Sequence, residues 1–183
     1  MIKRLRSRYN AQELKEIYAT PHSHAQFPDH VVRVERTLAI AAQLVAPQTS
    51  TGADLSCGDG EVLRRCPGLS ERIYGDFAPG YPITGPIERT IFQIPDVDIF
   101  FLCETLEHVD DPYSVLRAVR TKTEKLIVST PLNEANDENP EHYWGWDREG
   151  MESILISTGF TPVFYEETEL RSGWYQFQIW GCN

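Results

Sequence analysis

Glu104, Glu107 and His108 stand at i, i+3 and i+4 within the segment CETLEHVDDP. Residues three and four apart share a helix face, so a helical turn beginning there would aim two carboxylates and an imidazole the same way. A second imidazole, His142, opens the run HYWGWDR after the next apolar stretch. Imidazoles titrate near neutrality, which suits His108 or His142 to act as a general base on an acceptor proton, with Glu104 beside them. Tyr143, Trp144 and Trp146 are expected either to wall such a site off from water or to pack in a closing loop.

A different chemistry belongs to residues 53–60, ADLSCGDG, where an acidic residue ends a strand and a Cys-Gly-Asp-Gly turn opens a helix at Glu61. Small residues let backbone approach a ligand closely, and the first turn of a helix offers N–H groups to a carboxylate. Asp76 ends the following strand, where a carboxylate can accept both hydroxyls of a ribose. The G-x-G-x-x-G spacing of a nicotinamide dinucleotide loop is absent, because Leu63 stands three residues after Gly60.

The elements that must position these groups follow from periodicity. AQELKEIY (11–18) has helical spacing, and residues 29–45 place Val31, Val34, Leu38, Ile40, Ala41 and Leu44 along one face. Residues 1–48 thus read as a helical arm. Between its helices a Pro-interrupted loop carries His22, His24 and His30 and reads as a lid whose histidines are exposed or hydrogen-bonded rather than ligands. Arg33 and Arg36 on the second helix either pair with Glu35 or Asp29 or meet an anionic acceptor. From residue 49 onward, ADLSC, RIYGDF, VDIFFLC and KLIVSTP read as buried parallel strands with their C-terminal ends facing a site. Val115, Leu116 and Val119 suit a crossover helix, and residues 147–158 a helix with an acidic cap that stops at Gly159. Runs 161–167 and 174–180 then form a closing antiparallel pair. The whole chain, 1–183, is one α/β domain with an arm (1–48) and a core (49–183).

Taken in order, several segments resemble the motifs of the class I S-adenosylmethionine (SAM) dependent methyltransferases, whose first motif is D-x-G-x-G-x-G. They are Asp54-Leu55-Ser56-Cys57-Gly58-Asp59-Gly60, YGDF (74–77), LCETLEHVDDP (102–112), VSTP (128–131) and the helix ending in TGF (158–160). The resemblance implies a Rossmann-like fold, a mostly parallel central sheet with one antiparallel closing strand, and SAM as cofactor. It further implies that Asp54, Ser56, Cys57, Gly58 and Gly60 hold the methionyl part and Asp76, followed by Phe77, the ribose. Ile87 and Glu88 would flank the adenine, and Cys103 with Glu104 would line the floor. Ser56 departs from the pattern by replacing the first glycine, which is tolerable where the backbone avoids positive φ. Pro67-Gly68 cuts the helix after Gly60 short, and DFAPGYPITGPI (76–87) leaves little room for a crossover helix. Pro86 stands where many members carry an acid for the adenine amino group, leaving that recognition to backbone and apolar contacts.

The combination E-x-x-E-H, T-P-x-x-E-x-N and H-x-x-x-W-x-R is similar to the catalytic region of the small-RNA 3'-terminal 2'-O-methyltransferases. This second resemblance implies a divalent metal on Glu104, Glu107, His108 and His142, and an RNA end as acceptor. Such a donor set suits Mn²⁺, Fe²⁺ or Co²⁺ better than an all-oxygen Mg²⁺ cage, and a metal there would lower the pKa of an attacking hydroxyl. Methyl transfer to a small-molecule or sugar-like hydroxyl without a metal is the favoured reading. A catalytically inactive SAM-fold binding protein is the third.

Composition narrows the field. Over 183 residues, 17 Lys plus Arg against 27 Asp plus Glu give a net charge of −10, with 41% hydrophobic residues, as in one ordinary domain with a full core. The acidic balance argues against a protein that wraps duplex nucleic acid, although Lys3, Arg4, Arg6 and Arg8 form a local basic patch. No apolar run suits a membrane span, and the basic start is not followed by one, so a cytoplasmic protein with no membrane partner is expected. Cys57, Cys66, Cys103 and Cys182 lack C-x-x-C spacing and read as reduced thiols rather than a disulfide or zinc framework.

Overall fold

Ile99 and Phe101 bury into one hydrophobic core while Phe100 and Leu102 bury into the other. A strand apolar on both sides needs cover on both sides, and that requirement organises the chain. A computed structural model describes residues 1–20, 24, 27–44, 50–132 and 137–182. His22 and the Glu and Asn that complete the T-P-x-x-E-x-N motif lie outside the described residues.

The chain starts with β1 (Ile2–Arg4) and the arm helices α1 (Ala11–Ile17) and α2 (Pro28–Ala41). Asn10 accepts the amides of Gln12 and Glu13 while Glu13 returns to the Asn10 N–H, a capping box that fixes where α1 begins. Pro28, with fixed φ and no N–H, suits the first turn of α2. That helix buries Val34, Thr37, Leu38, Ile40 and Ala41, whereas Val31, expected on the same face, is 48% exposed.

Next come β2 (Ser50–Asp54), α3 (Glu61–Arg65), β3 (Leu69–Asp76), β4 (Ile83–Thr84), α4 (Ile87–Thr90) and β5 (Ile99–Cys103). α3 stops where Cys66 turns extended ahead of Pro67. The room between β3 and β5 holds the four residues of α4 running into a 3-10 turn (Ile91–Gln93), and a two-residue β4, a strand too short to show any period in the sequence. Then follow α5 (Pro112–Arg120), β6 (Lys125–Pro131), β7 (Trp144–Trp146), α6 (Arg148–Ser157), β8 (Thr161–Leu170) and β9 (Gly173–Gly181). Asp111 and Asp147 cap α5 and α6, and α5 buries Val115, Leu116 and Val119 as its spacing predicts.

The main sheet has seven strands in the order β4-β3-β2-β5-β6-β9-β8, and β9 alone runs in the direction opposite to the other six. From the centre, β2 leads outward to β3 and β4 on one side, and β5 to β6 on the other. The C-terminal ends of β2 and β5 therefore flank the switch point, where an open α/β sheet presents its crevice. Asp54 ends β2 and Cys103 ends β5.

The start of the arm departs from the helical expectation. β1 pairs antiparallel with β7, Ile2 opposite Trp146 and Arg4 opposite Trp144, in a separate two-stranded sheet. Three residues carry no periodicity, so only the tertiary contact reveals this strand. Gly150 of α6 makes room for it, because a Cβ there would overlap the Met1 carbonyl group. Gly150→Ala is expected to expel β1 and cost about 1 to 3 kcal/mol, the range for overpacked sites. Urea unfolding checks this: the midpoint should fall while the slope stays unchanged.

Candidate functional site

Asp54 is 3% exposed at the tip of β2, and its Oδ1 accepts the Ser56 amide at 3.0 Å. That bond bends the chain out of the strand, so Ser56 serves in place of glycine without a positive φ. Its hydroxyl lies 2.7 Å from the Thr105 hydroxyl, which ties the loop to the end of β5. The next two glycines do need their freedom: Gly58 has φ 55 and Gly60 φ 72. Asp76 takes the Gly58 amide on Oδ2 and the Ala78 amide on Oδ1, both at 2.8 Å, so one carboxylate holds both turns of the crevice. Burial pushes the Asp54 carboxyl up to about 7 and raises Asp76 as well, against the bonds they accept.

These groups line a cleft of about 690 Å³. Asp54, Ser56, Cys57, Gly58, Asp76, Phe77, Ile87, Glu88, Cys103 and Glu104 all reach its wall. Gly60 instead caps α3, where a Cβ would meet the Tyr81 hydroxyl at 3.0 Å. Glu88 is held by Arg8 at 3.0 Å, a contact from the arm that the sequence does not announce. Burial raises the Cys57 thiol far above its ordinary range, with Asp54 and Asp76 adding to the effect. Cys57→Ala should accordingly change cofactor affinity by no more than about threefold, and the parent thiol should resist alkylation near pH 8. Titration calorimetry and mass spectrometry read the two effects.

The arm closes over this cleft. His30 Nε2 lies 3.0 Å from Asp59 Oδ2, and His24 sits against Gly58. Tyr18 donates its hydroxyl to Glu141 at 2.8 Å and lays its ring 5.2 Å from Phe77. Asp29 accepts the amide and hydroxyl of Ser172, at 2.7 and 2.6 Å, which fastens α2 to the β8–β9 turn. Arg33 pairs with Glu104 and stacks over Tyr175, rather than with Glu35 or Asp29.

At the far end, Glu107, His108 and His142 bring one ligand atom each within 4.8 Å of one another. Glu107 and His108 lie on a 3-10 turn, Leu106–His108, just after β5. His108 Nδ1 is 2.9 Å from the Glu141 carbonyl oxygen, an acceptor only, so Nδ1 carries the hydrogen and Nε2 the lone pair. His142 Nδ1 is bound by the Asp137 carboxylate, and the rings of His108 and His142 meet edge to face at 4.7 Å. Burial, with His142 next to it, lowers His108 to about 3 and keeps it neutral. Burial together with the neighbouring Glu104 carboxylate raises Glu107 well above the ordinary carboxylate range.

Glu104 stands apart from this cluster. Among the described residues it is the one non-glycine with positive φ, at 53, so the helical turn expected from position 104 starts only at Leu106. Its carboxylate takes Ser129 at 3.0 Å and Arg33 at 3.2 Å instead. The aromatic wall differs too. Tyr143 and Trp146 are each 1% exposed and point into the protein, whereas Tyr18, Phe27, Phe77 and Tyr175 line the cleft. Asp137 and Tyr175 carry no signal in the sequence, since no fixed spacing links Asp137 to His142 or Tyr175 to Arg33.

This strand order, with its loops gathered at the switch point, is the Rossmann-like fold of the class I SAM-dependent methyltransferases. Among solved structures, the chain is similar to the 1,6-didemethyltoxoflavin-N1-methyltransferase of Burkholderia thailandensis, with a TM-score of 0.76 and 12% identity over 100% of this chain and 95% of that one. That enzyme was solved with 1,6-didemethyltoxoflavin and S-adenosylhomocysteine. The magnesium protoporphyrin IX methyltransferase of Synechocystis PCC 6803, solved with S-adenosylhomocysteine, gives 0.67 and 13% over 94% of each chain. The [4+2]-cyclase SpnF shares the fold at 0.66 and 12% over 81% of each chain, so the fold alone does not fix a reaction. No family model and no curated protein sequence matches this chain. No helix among the described residues is long and apolar enough to cross a membrane.

Proposed function

We propose that the protein is a SAM-dependent methyltransferase that methylates a hydroxyl of a small, sugar-like molecule. The observation that carries this reading is the continuity of the cleft, which runs from Asp54, Gly58 and Asp76 to Glu104, His108 and His142. Its volume falls within the ~300 to 1,000 Å³ of small-molecule sites. Residues 54–60 would hold the methionyl part of SAM, Asp76 the ribose, and Ile87 with Glu88 the adenine, with Cys103, Glu104 and the histidines left to line the acceptor end. SAM held there would supply an electrophilic methyl to the acceptor oxygen, with S-adenosylhomocysteine as the leaving group and a methyl ether as product, and His142 would take the hydroxyl proton. Asp137 orients His142 and stabilises the imidazolium, as a carboxylate does behind a catalytic histidine. An RNA acceptor would need Lys and Arg along its backbone path, which a net charge of −10 disfavours. Incubation with methyl-labelled SAM and, separately, hydroxylated small molecules and RNA tests the reading: label in a small ether supports it, and label in RNA alone overturns it.

The state of Asp54 sets a pH dependence. A carboxyl held near 7 in the free protein is protonated below that pH, while the cationic cofactor favours the carboxylate. Binding then releases a proton, so SAM affinity should rise by up to about tenfold per pH unit between pH 5 and 7 and level off above. Equilibrium dialysis across that window reads the slope.

A second reading is favoured by the donors themselves. Glu107 Oε1 is buried with no hydrogen-bond partner, and the Glu107 carboxylate brings an oxygen within 4.8 Å of two imidazoles whose Nδ1 atoms are already engaged. A carboxylate oxygen with two such imidazoles fits a divalent cation of the Mn²⁺, Fe²⁺ or Co²⁺ type. When bound, the cation would polarise the acceptor hydroxyl and lower its pKa. His142 would then be a ligand rather than the base.

A further inference from the structure

Thr130 and Trp146 belong to two sequence motifs, VSTP and HYWGWDR, yet neither side chain reaches the cleft. Thr130 is 0% exposed, and Trp146 and Glu107 are 1% exposed each. The Trp146 indole Nε1 lies 3.0 Å from Thr130 Oγ1, and that oxygen lies 3.2 Å from Glu107 Oε2. The direction of this chain is fixed by its first member. An indole N–H can only donate, so the Thr130 oxygen accepts from it, and the single hydroxyl hydrogen is left to point at Glu107. With Glu107 ionised, Oε2 accepts the Thr130 hydroxyl, which leaves Oε1, the oxygen without a partner, to meet a cation.

We infer that Trp146 and Thr130 are positioning residues that hold Glu107 so that Oε1 alone is presented to the His108–His142 pair as a single-oxygen ligand. This rests on the cation reading of the cluster and deepens it. The elements make the relay rigid: Thr130 lies in β6 between β5 and β9, and Trp146 lies in β7, pinned by β1. Without the relay the Glu107 carboxylate is free to turn and offer either oxygen. Partners that orient a ligand in this way commonly contribute about 10- to 100-fold in metal affinity.

The test is Mn²⁺ titration of the full chain, read by the paramagnetic resonance signal of free Mn²⁺, with circular dichroism and S-adenosylhomocysteine calorimetry as controls of fold and cofactor site. Thr130→Val keeps the shape and removes the hydroxyl, and it should weaken Mn²⁺ binding about 10- to 100-fold with cofactor affinity unchanged. Thr130→Ser should restore binding to near the parent. Trp146→Phe leaves the hydroxyl free to turn and should give a loss smaller than that of Thr130→Val. If Thr130→Val does not fold, the Thr130→Ser and Trp146→Phe pair decides, because parent-like binding by Trp146→Phe overturns the relay. Parent-like binding by a folded Thr130→Val overturns it too, provided Glu107→Gln has lost the ion. A parent protein that binds no Mn²⁺ instead removes the cation reading and this inference with it, an outcome distinct from failure of the relay alone.

Discussion

His142→Ala is expected to lower the rate of methyl transfer by about 10²- to 10⁴-fold, the usual contribution of a general base, while SAM still binds. The expectation rests on where His142 sits: it lines the cleft beside His108, and Asp137 holds its Nδ1. His108 is the weaker candidate for the proton, because burial holds it near 3 and an imidazolium there would have no carboxylate partner at Nδ1, only the Glu141 carbonyl. Asp137→Asn should therefore lose part of the His142 effect, since the amide no longer stabilises the charge. Chelation separates the two chemistries of the cluster. If His142 is the base, a chelator leaves the rate unchanged. If Glu107, His108 and His142 hold a cation, chelation abolishes activity that Mn²⁺ or Co²⁺ then restores.

Asp76→Ala is expected to weaken cofactor binding by about 1 to 3 kcal/mol, roughly 5- to 150-fold, through lost charge-assisted hydrogen bonds. This carboxylate has two tasks in the structure, since it faces the cleft and also accepts the Gly58 and Ala78 amides. Asp76→Asn keeps an acceptor for one amide and should fall between the parent and alanine, which separates loss of the ribose contact from loosening of the loop. Asp54→Ala should cost a similar amount, and its loss should flatten the pH dependence of SAM binding below pH 7, because the titrating group is gone. Titration calorimetry of the three variants reads all of these effects, with thermal unfolding to confirm that each is folded.

How far the residues spoke for themselves depends on how local their causes are. Asp54 through Gly60 was legible because the turn is made by its own glycines at φ 55 and 72 and by one bond from Ser56 back to Asp54. The buried strands and α5 were legible for the same reason, each carrying its period within a few residues. Glu104 was not, because i, i+3, i+4 spacing presumes one continuous helical turn and the backbone reverses at 104 first. The sequence leaves Trp146 open between a cleft wall and loop packing, and the choice falls to packing because β1 covers β7 from the other end of the chain. Arg33 and Tyr175 meet over Glu104 from α2 and β9, and nothing within either element announces the partner. Periodicity thus marked the strands and local turn chemistry the bend at residues 54–60, while the groups at the far end of the crevice depended on contacts more than a hundred residues apart, such as Tyr18 with Glu141.

The crevice at the ends of β2, β3 and β5 is expected to bind SAM and its product. The decisive measurement is calorimetric titration of the parent with S-adenosylhomocysteine, repeated with Asp76→Ala. One saturable site on the parent, weakened roughly 5- to 150-fold in the variant, is the expected result. A folded parent that shows no binding of either S-adenosylhomocysteine or SAM, or a variant that binds as tightly as the parent, would contradict it.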